Sequence, residues 1–209
     1  MPSGCVGYFI APSEKRIIIE KAMSRQSNLA KAGWPGHKRG AWDNCEHPNL
    51  RSHVIGMLGE YATAMFLGID VAEVKHDTQG LSDGGVDLVA GGWKLTIKTR
   101  HQMNMPDVLW HAWATDTDVS QDVARADVLI GCSLTCKRGG ICYCSNLLDD
   151  DRWALVLLHG YIPTVCIRKP RTKKRDLGNG LRWLFPKKDL LPMRSLTVEL
   201  YRTQEKGGT

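Results

Sequence analysis

The dipeptide Gly91-Gly92 constrains this chain more than any other feature. It separates VDLVA from WKLTIKT, two runs that alternate apolar and polar residues. Such runs, joined by two glycines, make a β-hairpin with a primed turn, the turn that matches the right-handed twist of paired strands. The register follows: Ala90 faces Trp93, Val89 faces Lys94, Leu88 faces Leu95 and Asp87 faces Thr96. Parity then divides the side chains. Leu88, Ala90, Trp93, Leu95 and Ile97 form one apolar side, and Asp87, Val89, Lys94, Thr96, Lys98 and Arg100 the other. Asp87 therefore sits opposite Thr96 and diagonal to Lys98.

The segment GMLGEYATAMFLG just upstream reads as a helix beginning at Pro48 or Asn49 and ending near Gly68. Val54, Leu58, Tyr61, Ala62, Met65 and Phe66 make it apolar around most of its circumference, the pattern of a buried helix. Glu60 is the exception. An ionised carboxylate is costly to bury alone, so Glu60 either pairs with a basic side chain or faces a cleft and binds a cation. Small neighbours at Gly56 and Ala64 leave room for another element beside it.

A chain of 209 residues with 43% hydrophobic content fits one domain over residues 1–209, with a core of ordinary size. No run of 18 apolar residues exists for a membrane span, and MPSGCVGYFIAPSEK lacks the basic start and long apolar stretch of a signal peptide. A cytoplasmic protein with no membrane partner is expected, in the host cytoplasm if the chain is viral. Along the chain, Ser13 is positioned to cap a helix through residues 14–31. Residues 71–74 read as a short strand, followed by a polar loop holding Asp77 and Asp83. ADVLI reads as a core strand, and residues 153–159 as another. Residues 160–163 read as a turn and 164–167 as the returning strand.

Charge is uneven. Residues 1–130 carry 13 basic and 15 acidic side chains, whereas residues 131–209 carry 15 and 7, which produces the net +6. Arg168, Lys169, Arg171, Lys173, Lys174 and Arg175 crowd into one loop, a density suited to a phosphate backbone. Cys132, Cys136, Cys142 and Cys144 would lie on a cysteine-rich hairpin insertion at 132–144. Converging thiolates there would hold a structural Zn²⁺, although buried free cysteines are also ordinary small hydrophobes.

On Glu60, Asp87 in GGVD, and Thr96-Ile97-Lys98, the chain resembles the PD-(D/E)XK nuclease superfamily, in particular its phage- and restriction-type members. The resemblance implies an α/β fold with a central mixed β-sheet flanked by helices, a restriction-endonuclease-like core. It also implies a Mg²⁺- or Mn²⁺-dependent endonuclease acting on DNA, with a homodimer as one arrangement. Glu60, Asp87 and Lys98 would be catalytic; Glu60, Asp87 and the Ile97 carbonyl would hold the metal. Thr96 stands where the family carries a second acid, and Asp83 is the nearest carboxylate to replace it. Two other readings stay open: an inactive nuclease-fold protein that binds nucleic acid or a host protein, and a plain surface ion pair between Asp87 and Lys98 contributing ~0–1 kcal/mol.

Overall fold

The computed structural model describes residues 5–31, 33, 48–71, 74, 86–101, 109–113, 125–135, 147–148, 153–167, 174–176, 181–186 and 189–206. It is an α/β protein. The strands are β1 (Val6–Ile10), β2 (Leu88–Ala90), β3 (Trp93–His101), β4 (Leu109–Trp113), β5 (Val128–Thr135), β6 (Ala154–Pro163), β7 (Lys174–Asp176) and β8 (Leu181–Pro186). The helices are α1 (Pro12–Lys31), α2 (Pro48–Leu67), a single turn α3 (Thr164–Ile167) and α4 (Met193–Lys206). A five-stranded mixed sheet has the order β1-β6-β5-β3-β2, and a three-stranded sheet the order β4-β8-β7. Only β3 and β5 pair in parallel; every other pairing is antiparallel.

The hairpin has the expected register, Leu88 with Leu95, Val89 with Lys94 and Ala90 with Trp93. Gly91 and Gly92 both adopt positive φ, 54° and 81°, the backbone that a primed turn demands at both positions. The parallel partner is fixed at the same, turn end of the hairpin. Asp127 donates its N–H to Lys94 O at 2.7 Å and accepts the Lys94 N–H on Oδ2 at 2.8 Å. Thr164 then ties the end of β6 to this corner, its hydroxyl donating to Ala126 O at 2.6 Å.

Helix α2 also runs as its sequence requires. It ends in a Schellman motif: Gly68 turns left-handed at φ 69°, its N–H donates to Met65 O, and the Ile69 N–H donates to Ala64 O. The helix crosses the sheet diagonally. Gly59 meets Thr99 on β3, Thr63 meets Cys132 on β5, and the Phe66 ring packs edge-on against Tyr8 of β1 with centroids 6.4 Å apart. The core lies under this track. Leu88, Leu95, Ile97, Val128, Ile130, Cys132, Leu134, Val156 and Leu158 alternate along their strands toward Val54, Leu58 and Ala62. Tyr61 reaches sideways to α1, donating its hydroxyl to Glu14 Oε1 at 3.0 Å.

Several local expectations are corrected. Helix α1 begins one residue before Ser13, because Pro12 suits the first helical position and Glu14 reaches back to accept the Ala11 N–H at 2.9 Å. Ala11 is thus the capping position. The segment at 71–74 is a turn at its described residues, with Val74 N–H directed to Val71 O. Strand β6 continues through 160–163, held on both sides by β5 and an isolated bridge from Tyr161 to Leu191, and residues 164–167 form one helical turn. Lys174 and Arg175, read as part of a basic loop, have strand backbone in β7. The chain near its end is helical from Met193 to Lys206. Among the described residues no helix is long and apolar enough to cross a membrane.

Candidate functional site

Strand β2 is shorter than β3, and among the described residues this mismatch leaves a notch in the ladder of paired strands. Beyond Leu95, β3 continues to His101 paired with β5 on one side, while on the other side β2 no longer accompanies it among the described residues. Asp87 fills the first gap. Its Oδ2 accepts the Ile97 N–H at 2.5 Å and the Thr96 hydroxyl at 3.2 Å, and its own N–H donates to Leu95 O at 2.8 Å. The carboxylate therefore lies close to the plane of the sheet and occupies the place where a neighbouring strand's carbonyl would have been. The Ile97 N–H, which an unpaired edge would leave to water, is satisfied by it.

Glu60 approaches from the helix side. It is 8% exposed, and its Oε1 lies 4.0 Å from the position a Gly56 β-carbon would take, so the side chain folds back along α2. The helix moves from β3 toward β1 as it runs to its C-terminus. The close approach anticipated at Gly56 is made instead by Gly59. A β-carbon on Gly59 would stand 1.8 Å from Thr99 Oγ1, so no other residue fits without displacing the helix.

Lys98 approaches from the other face. Thr99 points at α2, so alternation along β3 turns Lys98 and Thr96 away from it. Lys98 is half-buried, whereas Thr96 is 0% exposed. With its proton committed to Asp87, the Thr96 hydroxyl acts as a clasp on the carboxylate. Glu60 thus lies on the helix side of the sheet, Asp87 at the edge of β3, and Lys98 on the face turned away from α2.

Cys132 is fully buried, in register with Thr99 and with its Sγ 3.9 Å from the Thr63 hydroxyl. Burial pushes its thiol up to about 12; the hydroxyls of Thr63 and Thr99 oppose that shift, and the negative charge of Asp87 adds to it. This cysteine belongs to the packing between α2 and the sheet. Cys136, Cys142 and Cys144 lie outside the described residues, as do Asp83, Arg168, Lys169, Arg171 and Lys173. Among the described residues no group of three or more His, Cys, Asp or Glu side chains is placed to hold a metal ion.

Three buried polar residues escaped the sequence reading. Lys15 and Arg51 are buried on α1 and α2, at positions where apolar periodicity gives no hint of a charge. His159 also escaped, although a glycine directly after it within an apolar strand is the usual mark of a bulge. No protein-family model, curated protein or solved structure matches the chain.

Proposed function

We propose that the protein is a metal-dependent nuclease that hydrolyses phosphodiester bonds in DNA, with the notch at the end of β2 as its active site. The observation that carries this reading is the fixed carboxylate of Asp87, clasped by Thr96 and Ile97 beside Lys98 and below the helix that bears Glu60. The α/β architecture with a mixed five-stranded sheet belongs to the general class that the resemblance to PD-(D/E)XK nucleases implies. Net charge of +6, concentrated in the second half of the chain, favours a polyanionic partner.

The donor set fits a hard divalent ion. Mg²⁺ is commonly held by one or two carboxylates and keeps several waters of its own, so Glu60, Asp87 and the Ile97 carbonyl are sufficient in kind. When bound, Mg²⁺ or Mn²⁺ would supply neutralisation of charge on the phosphate. The chain's own part is positioning. Thr96 and the Ile97 N–H hold Asp87 in one orientation, and Gly59 sets the height of α2 and hence of Glu60. The Lys98 ammonium would orient a water and oppose charge gathering on the non-bridging phosphate oxygens.

A second reading rests on Thr96. A hydroxyl that donates to Asp87 cannot serve as the second acid of the triplet, which favours a nuclease-fold protein that binds DNA without cutting it. One experiment separates the two. Purified protein with Mg²⁺ or Mn²⁺ is expected to nick supercoiled plasmid, and Lys98→Ala to abolish nicking while leaving DNA binding in a gel-shift assay. Binding without cleavage of linear, nicked or single-stranded DNA would leave only the second reading.

A further inference from the structure

Away from the notch, one cluster of side chains has the composition of a reaction centre. In β6, Leu158 pairs with Cys132 and Gly160 with Gly131, so His159 between them has no opposite number on β5. It is the extra residue of a β-bulge, a device that bends the strand locally and sets how a side chain is aimed. Gly160 makes the bulge attainable. Its φ is 153°, and a β-carbon there would stand 2.4 Å from Leu191 O.

The ring that the bulge aims is held at both nitrogens. His159 Nε2 lies 2.6 Å from Ser133 Oγ, and Nδ1 lies 3.4 Å from Cys5 Sγ. Ser133 is 0% exposed and His159 7%, whereas Cys5 is a free cysteine with part of its surface open. Cys5 directly precedes Val6, the residue paired with Leu158, so continuing that register sets it across from His159. By parity the three side chains share the sheet face turned away from α2. A nucleophile, a base in reach of it and a third group orienting the base form the arrangement that activates a weak nucleophile.

We propose that Cys5 is a nucleophilic thiol, with His159 as its base and Ser133 holding the imidazole, and that it forms a mixed disulfide with low-molecular-weight disulfides. Ser133 is excluded as the nucleophile by its complete burial. With Nδ1 accepting the thiol proton, Nε2 carries the ring proton and donates to Ser133 Oγ. Cys5 Sγ attacks one sulfur of the incoming disulfide, and the new S–S bond forms as the old one breaks. The Cys5 sulfur is oxidised, the departing sulfur is reduced to a thiolate, and that thiolate takes the proton from Nδ1. This site is independent of the notch and of the nuclease reading.

The test uses the full chain, with peptide mass spectrometry to follow each cysteine separately at pH 7. Limiting iodoacetamide reports nucleophilicity, oxidised glutathione reports the disulfide reaction, and the partly exposed Cys166 is the internal reference. Cys5 is expected to be alkylated about tenfold faster than Cys166, and to acquire glutathione before it. His159→Gln should slow Cys5 by about tenfold or more while leaving Cys166 unchanged. Ser133→Ala should cause a smaller loss that Ser133→Thr restores. Equal wild-type rates at Cys5 and Cys166, or a Cys5 rate indifferent to His159→Gln, overturn the proposal. Fast alkylation with no glutathione adduct overturns the disulfide chemistry. Should His159→Gln fail to fold, the wild-type ratio decides alone.

Discussion

The two faces of the five-stranded sheet are assembled by different rules. The face under α2 is dry and periodic, with Leu95, Ile97, Ile130, Cys132 and Leu158 presented at regular alternation to an apolar helix. The opposite face carries Thr96, Ser133 and His159, all buried and all polar, each drawn to a partner on another strand. On the first face, packing sets the geometry and any side chain of the right volume serves. On the second, a hydrogen bond sets the geometry, and the partner must be one residue type at one place. Candidate chemistry gathers on or beside the second face.

That contrast yields effects of different size. The largest belongs to the packed face. Gly59→Val forces a side chain into the space of Thr99 Oγ1 and should lower unfolding free energy by about 3 kcal/mol or more in a urea titration. A loss below about 1 kcal/mol would mean that α2 is free to slide over the sheet, and the difference between the faces would collapse.

Of comparable size is a pH effect from the same face. The buried Cys132 thiol is raised from an ordinary 9.0 to about 12, so the folded protein keeps a proton that the unfolded chain releases. This stabilisation is complete below pH 9 and is lost as pH rises from 9 toward 12, by about 1.4 kcal/mol per pH unit. Urea titrations at successive alkaline pH values should show that slope, and Cys132→Ala should flatten it. An unchanged slope in the variant would place the titrating group elsewhere.

The smallest effect belongs to the polar side. Thr96→Val removes one hydrogen bond to Asp87 without changing volume much, and should cost about 1 kcal/mol. Its consequence for metal affinity should exceed its consequence for stability, because it frees the carboxylate to rotate. Parallel urea and Mn²⁺ titrations of that variant compare the two directly.

The same contrast explains what the sequence discloses. The hairpin register, both boundaries of α2 and the alternation of Leu88, Leu95 and Ile97 rest on local rules of turn chemistry and period, and all are readable from adjacent residues. Asp87 beside Thr96 follows from that register as well. The fate of Thr96 does not, because its burial depends on what covers the far face. The His159 bulge depends on pairing between β5 and β6, whose facing residues Ser133 and Leu157 stand 24 positions apart. Strand continuation through Gly160 to Pro163 was hidden for a related reason: glycine and proline mark turns locally, and here an isolated bridge from Leu191 keeps the strand extended. Buried Lys15 and Arg51 break the periodicity that would otherwise reveal a helix face.

The central claim is that Glu60 and Asp87 serve a single divalent ion in the notch. Mn²⁺ titration followed by electron paramagnetic resonance tests it without requiring a substrate. The wild-type chain is predicted to bind one Mn²⁺ at the notch, and Glu60→Gln and Asp87→Asn each to lose it while remaining folded by circular dichroism. Undiminished binding in either folded variant would contradict the shared site, and with it the nuclease reading.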